Sequence, residues 1–283
     1  MHFDAICGVD FSGARLAGRN TWVARLEPAG RRAAVPFRLT GVHCLEKLCG
    51  TPARAEALAH LVALIARSES ALWALDFPFG LPVEVMGPGA CWPDQLAFLE
   101  AWDEDAYGVG VECLRRARAL GGPMHLRRLT DREAKAPFDC YHYRIIYQTF
   151  YGMRDVLGPL SRRRRTAILP FQYRRLPAAR RVVVEACPAS TLKRLGLPHN
   201  NYKQPGGGSL TRKRRRTRRA VLDGLARHVR LDEGQRRVLM RNPGGDALDA
   251  VLAAVGAAWA FAAADHRHIA RHPRYPREGR LFV

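Results

Sequence analysis

Three short, nearly unbroken apolar runs each end on a lone acid followed by a turn. They are "AICGVD" (5–10) before Phe-Ser-Gly, "ALWALD" (71–76) before Phe-Pro-Phe-Gly, and "RVVVE" (181–185) before Ala-Cys-Pro. Apolar residues on both alternating sets predict strands covered on both faces, the habit of parallel pairing. Between the first two runs, "TWVARLEP" (21–28) alternates and predicts an antiparallel partner for the first strand. A third strand is expected over "AAVPFRLT" (33–40), on an edge or irregular because Pro36 cannot donate to a ladder. The segment 51–70 sets Leu58, Leu61, Val62 and Ile65 at helical spacing, with Thr51 as cap and Pro52 at the first helical position.

Strand, strand, strand, helix, strand is a mixed α/β opening. Residues 1–83 are thus expected to be the first part of a core. From 84 to 180 the pattern changes to short helical candidates, aromatic segments and the run "SRRRRT" (161–166), predicting a mostly helical, Arg-rich insertion or cap. Residues 181–264 return to the core and close on a small-residue helix starting near Asp246. The stretch 265–283, rich in His, Arg and Pro, is expected to be a flexible tail.

Charge changes the picture next. Lys and Arg total 46 against 26 Asp and Glu, a net charge of +20, and 41 of the 46 are Arg. That excess favours a polyanionic partner, most simply nucleic acid, although an Arg- and Ala-favouring codon bias accounts for part of it. The seven cysteines include no C-x-x-C pair and are expected to be reduced thiols of a cytoplasmic protein. The N-terminus has no basic leader before an apolar stretch, and the run 250–264 is shorter than the roughly 20 residues of a membrane span, so no membrane association is expected.

The acids carry the candidate chemistry. In an open α/β sheet, ligands bind beyond the carboxyl ends of the parallel strands. If their strands are neighbours, Asp10, Asp76 and Glu185 crowd one such crevice. Asp246 and Asp249, three apart on the closing helix, share a face and can join them. Carboxylates so crowded require a cation, and hard oxygen donors select Mg²⁺ or Mn²⁺. Such ions can activate water and stabilise the leaving oxygen of a phosphodiester. Each acid also has a local reading: a turn cap for Asp10 and Asp76, an arginine partner for Glu185, a helix N-cap for Asp246 with Asp249 completing it.

The motifs "GVDFSGA", "LDFPFGLP", "VVVEACPASTLKRLG", "NNYK" and "GGDALDAVLAAVGA", in that order, resemble those of the predicted RNase H-like nucleases, the domain-of-unknown-function family 429. The resemblance covers roughly 5–82 and 182–264. It implies an RNase H-like mixed sheet flanked by helices, with Asp10 on the first strand, Asp76 on the fourth, Glu185 on the fifth, and Asp246 and Asp249 on the closing helix. The expected activity is metal-dependent phosphodiester hydrolysis of nucleic acid, DNA or RNA. Asp10, Asp76, Glu185 and Asp249 are the expected metal ligands, with Asp246 as a further catalytic candidate.

The block "TRKRRRTRR" (211–219) holds seven basic residues in nine and reads either as a phosphate-tracking strip or as a solvated loop. Lys203, Arg212, Arg214 and Arg215 are the substrate-binding candidates, Lys203 also being placed to balance the acids. Tyr143, Tyr147 and Tyr151, four apart, form either a stacking face for unpaired bases or, as such stripes more often do, a packing face. His266, His268 and His272 are expected in a solvated tail. Two alternatives to a nuclease stand: a non-catalytic nucleic-acid-binding module on the same fold, and, less favoured for want of a second domain, an actin-like phosphotransferase or ATPase.

Overall fold

The computed structural model describes residues 1–30 and 33–283. A mixed seven-stranded sheet runs through it, flanked by helices on both faces. The strands are β1 (Ala5–Asp10), β2 (Trp22–Pro28), β3 (Phe37–Cys44), β4 (Ala71–Asp76), β5 (Thr166–Ile168), β6 (Arg181–Glu185) and β7 (Val229–Arg230), in the order β5-β6-β4-β1-β2-β3-β7. β1 pairs antiparallel with β2 and parallel with β4, and β4 pairs parallel with β6. The three acid-terminated runs are therefore adjacent and codirectional.

Two layers of helices cover this sheet. On one face lie α1 (Arg54–Arg67), α2 (Trp92–Glu100), α3 (Ala106–Ala119) and α4 (Ile146–Tyr151), the last continuing into a π-helical turn, Gly152–Leu157. On the other lie α5 (Pro188–Arg194), α6 (Arg212–Leu225), α7 (Glu233–Arg241) and α8 (Asp246–Ala263). α8 is long and apolar enough to cross a membrane, but most of it is buried against the sheet.

Several expectations shift. β3 starts at Phe37 rather than 33, because the Pro36 carbonyl accepts from Ala29 N at 2.9 Å and closes the turn before pairing begins. α1 starts at Arg54: Thr51 Oγ1 accepts from Ala53 N, which leaves Pro52 in the approach to the helix instead of its first turn. The segment 84–180 is mostly helical, as expected, and packs into the core. Cys113, Phe150, Met153 and Leu157 share one apolar cluster with Cys7, Trp73 and Val183, covering sheet that α1 alone leaves bare. Within it, Thr166–Ile168 adds a strand beside β6, so Glu185 stands on the sixth strand and not the fifth.

The tail is not loose. It forms α9 (His266–Arg271) and α10 (Tyr275–Glu278), after which Leu281 bridges Glu185 and Phe282 N donates to the Glu185 carbonyl at 2.9 Å. The apolar "LFV" at 281–283 is buried and holds the segment down. The seven cysteines are all free thiols.

Candidate functional site

Asp10 and Asp76 close β1 and β4 as direct register partners, so their side chains leave the same face of the sheet side by side. Both line a cleft of about 670 Å³ at the carboxyl ends of the strands. Among the described residues neither carboxylate takes a hydrogen bond, so the turn-capping role open to each from sequence is not used. Burial pushes the Asp10 carboxyl well above the usual carboxylate range, with Lys203 pulling against it and Asp249, Asp246 and Asp76 adding to it. Burial together with Asp249 pushes Asp76 up to about 8.

α8 brings Asp249 to the same cleft. It comes this close because β1 carries Gly8 beneath it: a Cβ there would lie 1.9 Å from the Ala250 carbonyl oxygen and 2.5 Å from Ala254 N. The helix surface over the sheet is correspondingly small, with Ala250, Ala253, Ala254 and Ala257 all buried. Asp249 is not free. It accepts from the Tyr202 hydroxyl at 2.9 Å and is in contact with the Lys203 ammonium, which stays half open to the cleft. Burial works against the Lys203 charge, but Asp249, Tyr202 and Asp10 hold the ammonium well above its ordinary range.

Asp246 does not line the cleft. It opens α8 as its first residue, after Gly245 in the left-handed conformation (φ +87°) that serves as the cap, and its carboxyl reaches Asn242 Nδ2 at 3.5 Å. Burial pushes it up, Lys203 opposing and Asp249 adding to the rise.

Glu185 lines the same cleft, together with Arg128 and Asp131, but its side chain leaves the opposite face of the sheet. Register pairs it with Leu75, not Asp76, so it faces the layer that contains α1 to α4. There the buried Arg128 grips it through both terminal nitrogens, with Nη1 to Oε2 at 2.8 Å, while Phe79 N donates to Oε2 at 3.1 Å. Arg128 also holds Asp131 in a two-pronged pair (2.7 and 3.0 Å) and the Glu278 carbonyl at 3.1 Å. Burial pushes the Glu185 carboxyl up, and the guanidinium pulls it down. The arginine-partner reading of Glu185 is the one the geometry bears out. Arg128 carried no local signal as the partner of Glu185, because the two meet across 57 positions of chain, and the Glu278 carbonyl joins Arg128 across 150.

The basic block is a helix, not a flexible loop. Thr211 caps α6, its Oγ1 accepting from Arg214 N. Arg214 lines the cleft and donates to Gln204 Oε1 at 3.0 Å; Arg212 and Arg215 are exposed and lie outside the cleft lining. Arg218, one helical turn on from Arg214, is fully buried. Its guanidinium donates to the carbonyls of Tyr202 (2.6 and 2.8 Å), Leu239, Met240, Asn242 and Pro243. It therefore ties the Tyr202–Lys203 loop to the turn that starts α8. This structural role in a run of like residues is invisible to composition; only the helical spacing of Arg218 with Val221, Leu222 and Leu225 hints at it.

Of the tyrosines, Tyr151 is buried, whereas Tyr143 and Tyr147 are exposed. His266 is engaged by Tyr173 and the Phe261 carbonyl, and His268 meets His272 edge-on. Among the described residues no three His, Cys, Asp or Glu side chains are grouped closely enough to hold a metal ion. Two of the four expected ligands have cationic partners from the protein, Lys203 on Asp249 and Arg128 on Glu185.

Residues 163–274 match the model of a family described as a protein of unknown function, DUF429. That stretch contains Glu185, Lys203, Asp246 and Asp249 but not Asp10 or Asp76. No curated protein and no solved structure matches the chain.

Proposed function

We propose that the protein is an RNase H-like phosphodiesterase acting on nucleic acid with the help of Mg²⁺ or Mn²⁺. The observation that carries this reading is the Asp10–Asp76 pair: two carboxylates side by side, without hydrogen-bond partners among the described residues, in a cleft that Lys203 and Arg214 also line. Two negative oxygen donors sharing a low-dielectric site repel each other, and a divalent cation relieves that repulsion. Asp10 and Asp76 would hold such an ion, and Asp249 would become the third donor only once Lys203 lets go. Bound there, the ion would supply Lewis acidity and a water of lowered pKa.

The protein's own side chains have separable tasks in this scheme. Lys203, in the cleft lining, neutralises Asp249 until substrate arrives and then has a phosphate oxygen as its alternative partner. Arg214 at the rim binds the backbone, with Arg212 and Arg215 extending the positive face along α6. Glu185 with Arg128 sets the floor rather than ligating.

Calorimetric titration of Mn²⁺ into wild type and Asp10→Asn tests the reading, followed by cleavage assays on DNA and RNA. Binding that weakens sharply in the variant, with metal-dependent cleavage lost, is expected. Failure of millimolar Mn²⁺ to bind wild type either alone or with oligonucleotide present would remove the metal site.

A second reading is favoured by the Lys203–Asp249 and Arg128–Glu185 pairs: a nucleic-acid-binding module whose acids are structural. Asp10→Asn separates the two, since it abolishes turnover in an enzyme and leaves a binding module unaffected or slightly tighter.

A further inference from the structure

Resting on the nucleic-acid reading, we infer that the rim beside Asp10 is a platform for unpaired bases and that the substrate is single-stranded. Phe138, Arg144, Ile145 and Gln148 line the same cleft as Asp10 and Asp76. Around them the rings are already stacked: Phe138 on His142 (4.7 Å between centroids, 30°) and His142 beside Tyr143 (4.5 Å, 31°). The Arg144 guanidinium stands 5.5 Å from the Phe138 ring and 5.7 Å from that of Tyr143, and its Nε donates to the Tyr143 hydroxyl at 3.2 Å.

This ladder ends in solvent at Tyr143, which is 65% exposed. Four residues on, Tyr147 is 44% exposed and stacks on Tyr151, which is 3% exposed and serves the core. Two contacts tie this segment to the strand that carries Asp10. Gln148 Nε2 donates to the carbonyl of Phe11, the residue after Asp10, at 2.7 Å. Gly13 lies so close under α4 that a Cβ would be 2.2 Å from the Tyr147 carbonyl oxygen. Exposed rings with an interleaved guanidinium, anchored to the loop that follows a candidate catalytic acid, match what a splayed strand requires: ring faces for bases and a cation for the backbone. A duplex buries its base faces and has no use for these rings.

Fluorescence anisotropy in EDTA tests this with a single strand of about 15 nucleotides, the same strand carrying abasic sites, and its duplex. The proteins are wild type, Tyr143→Ala/Tyr147→Ala, and the corresponding Phe pair. The Ala pair is expected to weaken single-strand binding roughly ten-fold or more while leaving the abasic strand and the duplex unmoved, and the Phe pair to retain wild-type affinity. Unchanged single-strand affinity in the Ala pair, or equal loss on the abasic strand, overturns the platform. If wild type binds no nucleic acid at all, the platform and the proposed function fall together. Ring-dependent single-strand binding with no Mn²⁺-dependent cleavage keeps the platform and removes the phosphodiesterase.

Discussion

Asp10 and Asp76 are register partners on the adjacent parallel strands β1 and β4, and neither carboxylate has a hydrogen-bond partner among the described residues. In a sheet, residues opposite each other and on one face sit within about 5 Å at the Cβ atoms, so the repulsion is built into the pairing. Without a cation the pair is a cost to folding, and that cost depends on pH.

The sign follows from Asp76. Its carboxyl stands at about 8 in the fold and near the ordinary carboxylate value of about 4 when unfolded, so between these limits the folded state binds more protons. The pair's cost is therefore absent below about pH 4, grows as pH rises, and levels off above about pH 8. Urea midpoints at pH 5 and pH 8 are expected to fall more in wild type than in Asp76→Asn. Saturating Mn²⁺ should flatten the wild-type slope. Parallel slopes in the two proteins would contradict the assignment.

Lys203 competes for the site it balances. Lys203→Met removes the ammonium from Asp249 and should tighten Mn²⁺ binding in calorimetry while lowering turnover on nucleic acid. Weaker binding of Mn²⁺ would mean that Lys203 is needed to shape the cleft rather than to fill it.

Arg128→Met leaves Glu185 and Asp131 buried without their partner. Removing one side of such a network typically costs about 3–5 kcal/mol. The double variant Arg128→Met/Glu185→Gln should recover part of that loss, since it removes one of the uncompensated charges. Chemical denaturation of the three proteins gives the comparison, and a double variant no more stable than the single one would count against the pairing.

Arg218→Gln tests the buried arginine of α6. Six donor contacts to five carbonyls cannot be replaced by one amide, and a loss of about 3 kcal/mol or more is expected from the stranded acceptors. Arg215→Gln on the exposed face should leave the denaturation midpoint unchanged and reduce only the salt dependence of nucleic-acid binding.

Gly8→Ala tests the approach of α8 to β1. The added methyl meets the Ala250 carbonyl, so the helix must move, at a cost of about 1–3 kcal/mol. Because α8 carries Asp249, the same change is expected to weaken Mn²⁺ binding; destabilisation with unaltered binding would place Asp249 outside the ion site.

The order of the elements was readable from the chain because apolar periodicity is a local property. The runs ending at Asp10, Asp76 and Glu185 are strands, the spacing of Leu58, Leu61, Val62 and Ile65 is a helix, and the small-residue stretch after Asp246 is another. Which acids meet was decided by register, which no single strand contains. A shift of one residue between β4 and β6 puts Glu185 on the face opposite Asp76, and an arginine 57 positions upstream then takes it. The same holds for the basic block, where composition counts charges but only the α6 packing separates the buried Arg218 from its exposed neighbours. It holds also for the tail, whose polar sequence looks loose until the sheet end presents Glu185 as a docking edge for Leu281. Local pattern determines where backbone hydrogen bonds can be satisfied within an element; partners for buried charge are found only when distant elements close over it.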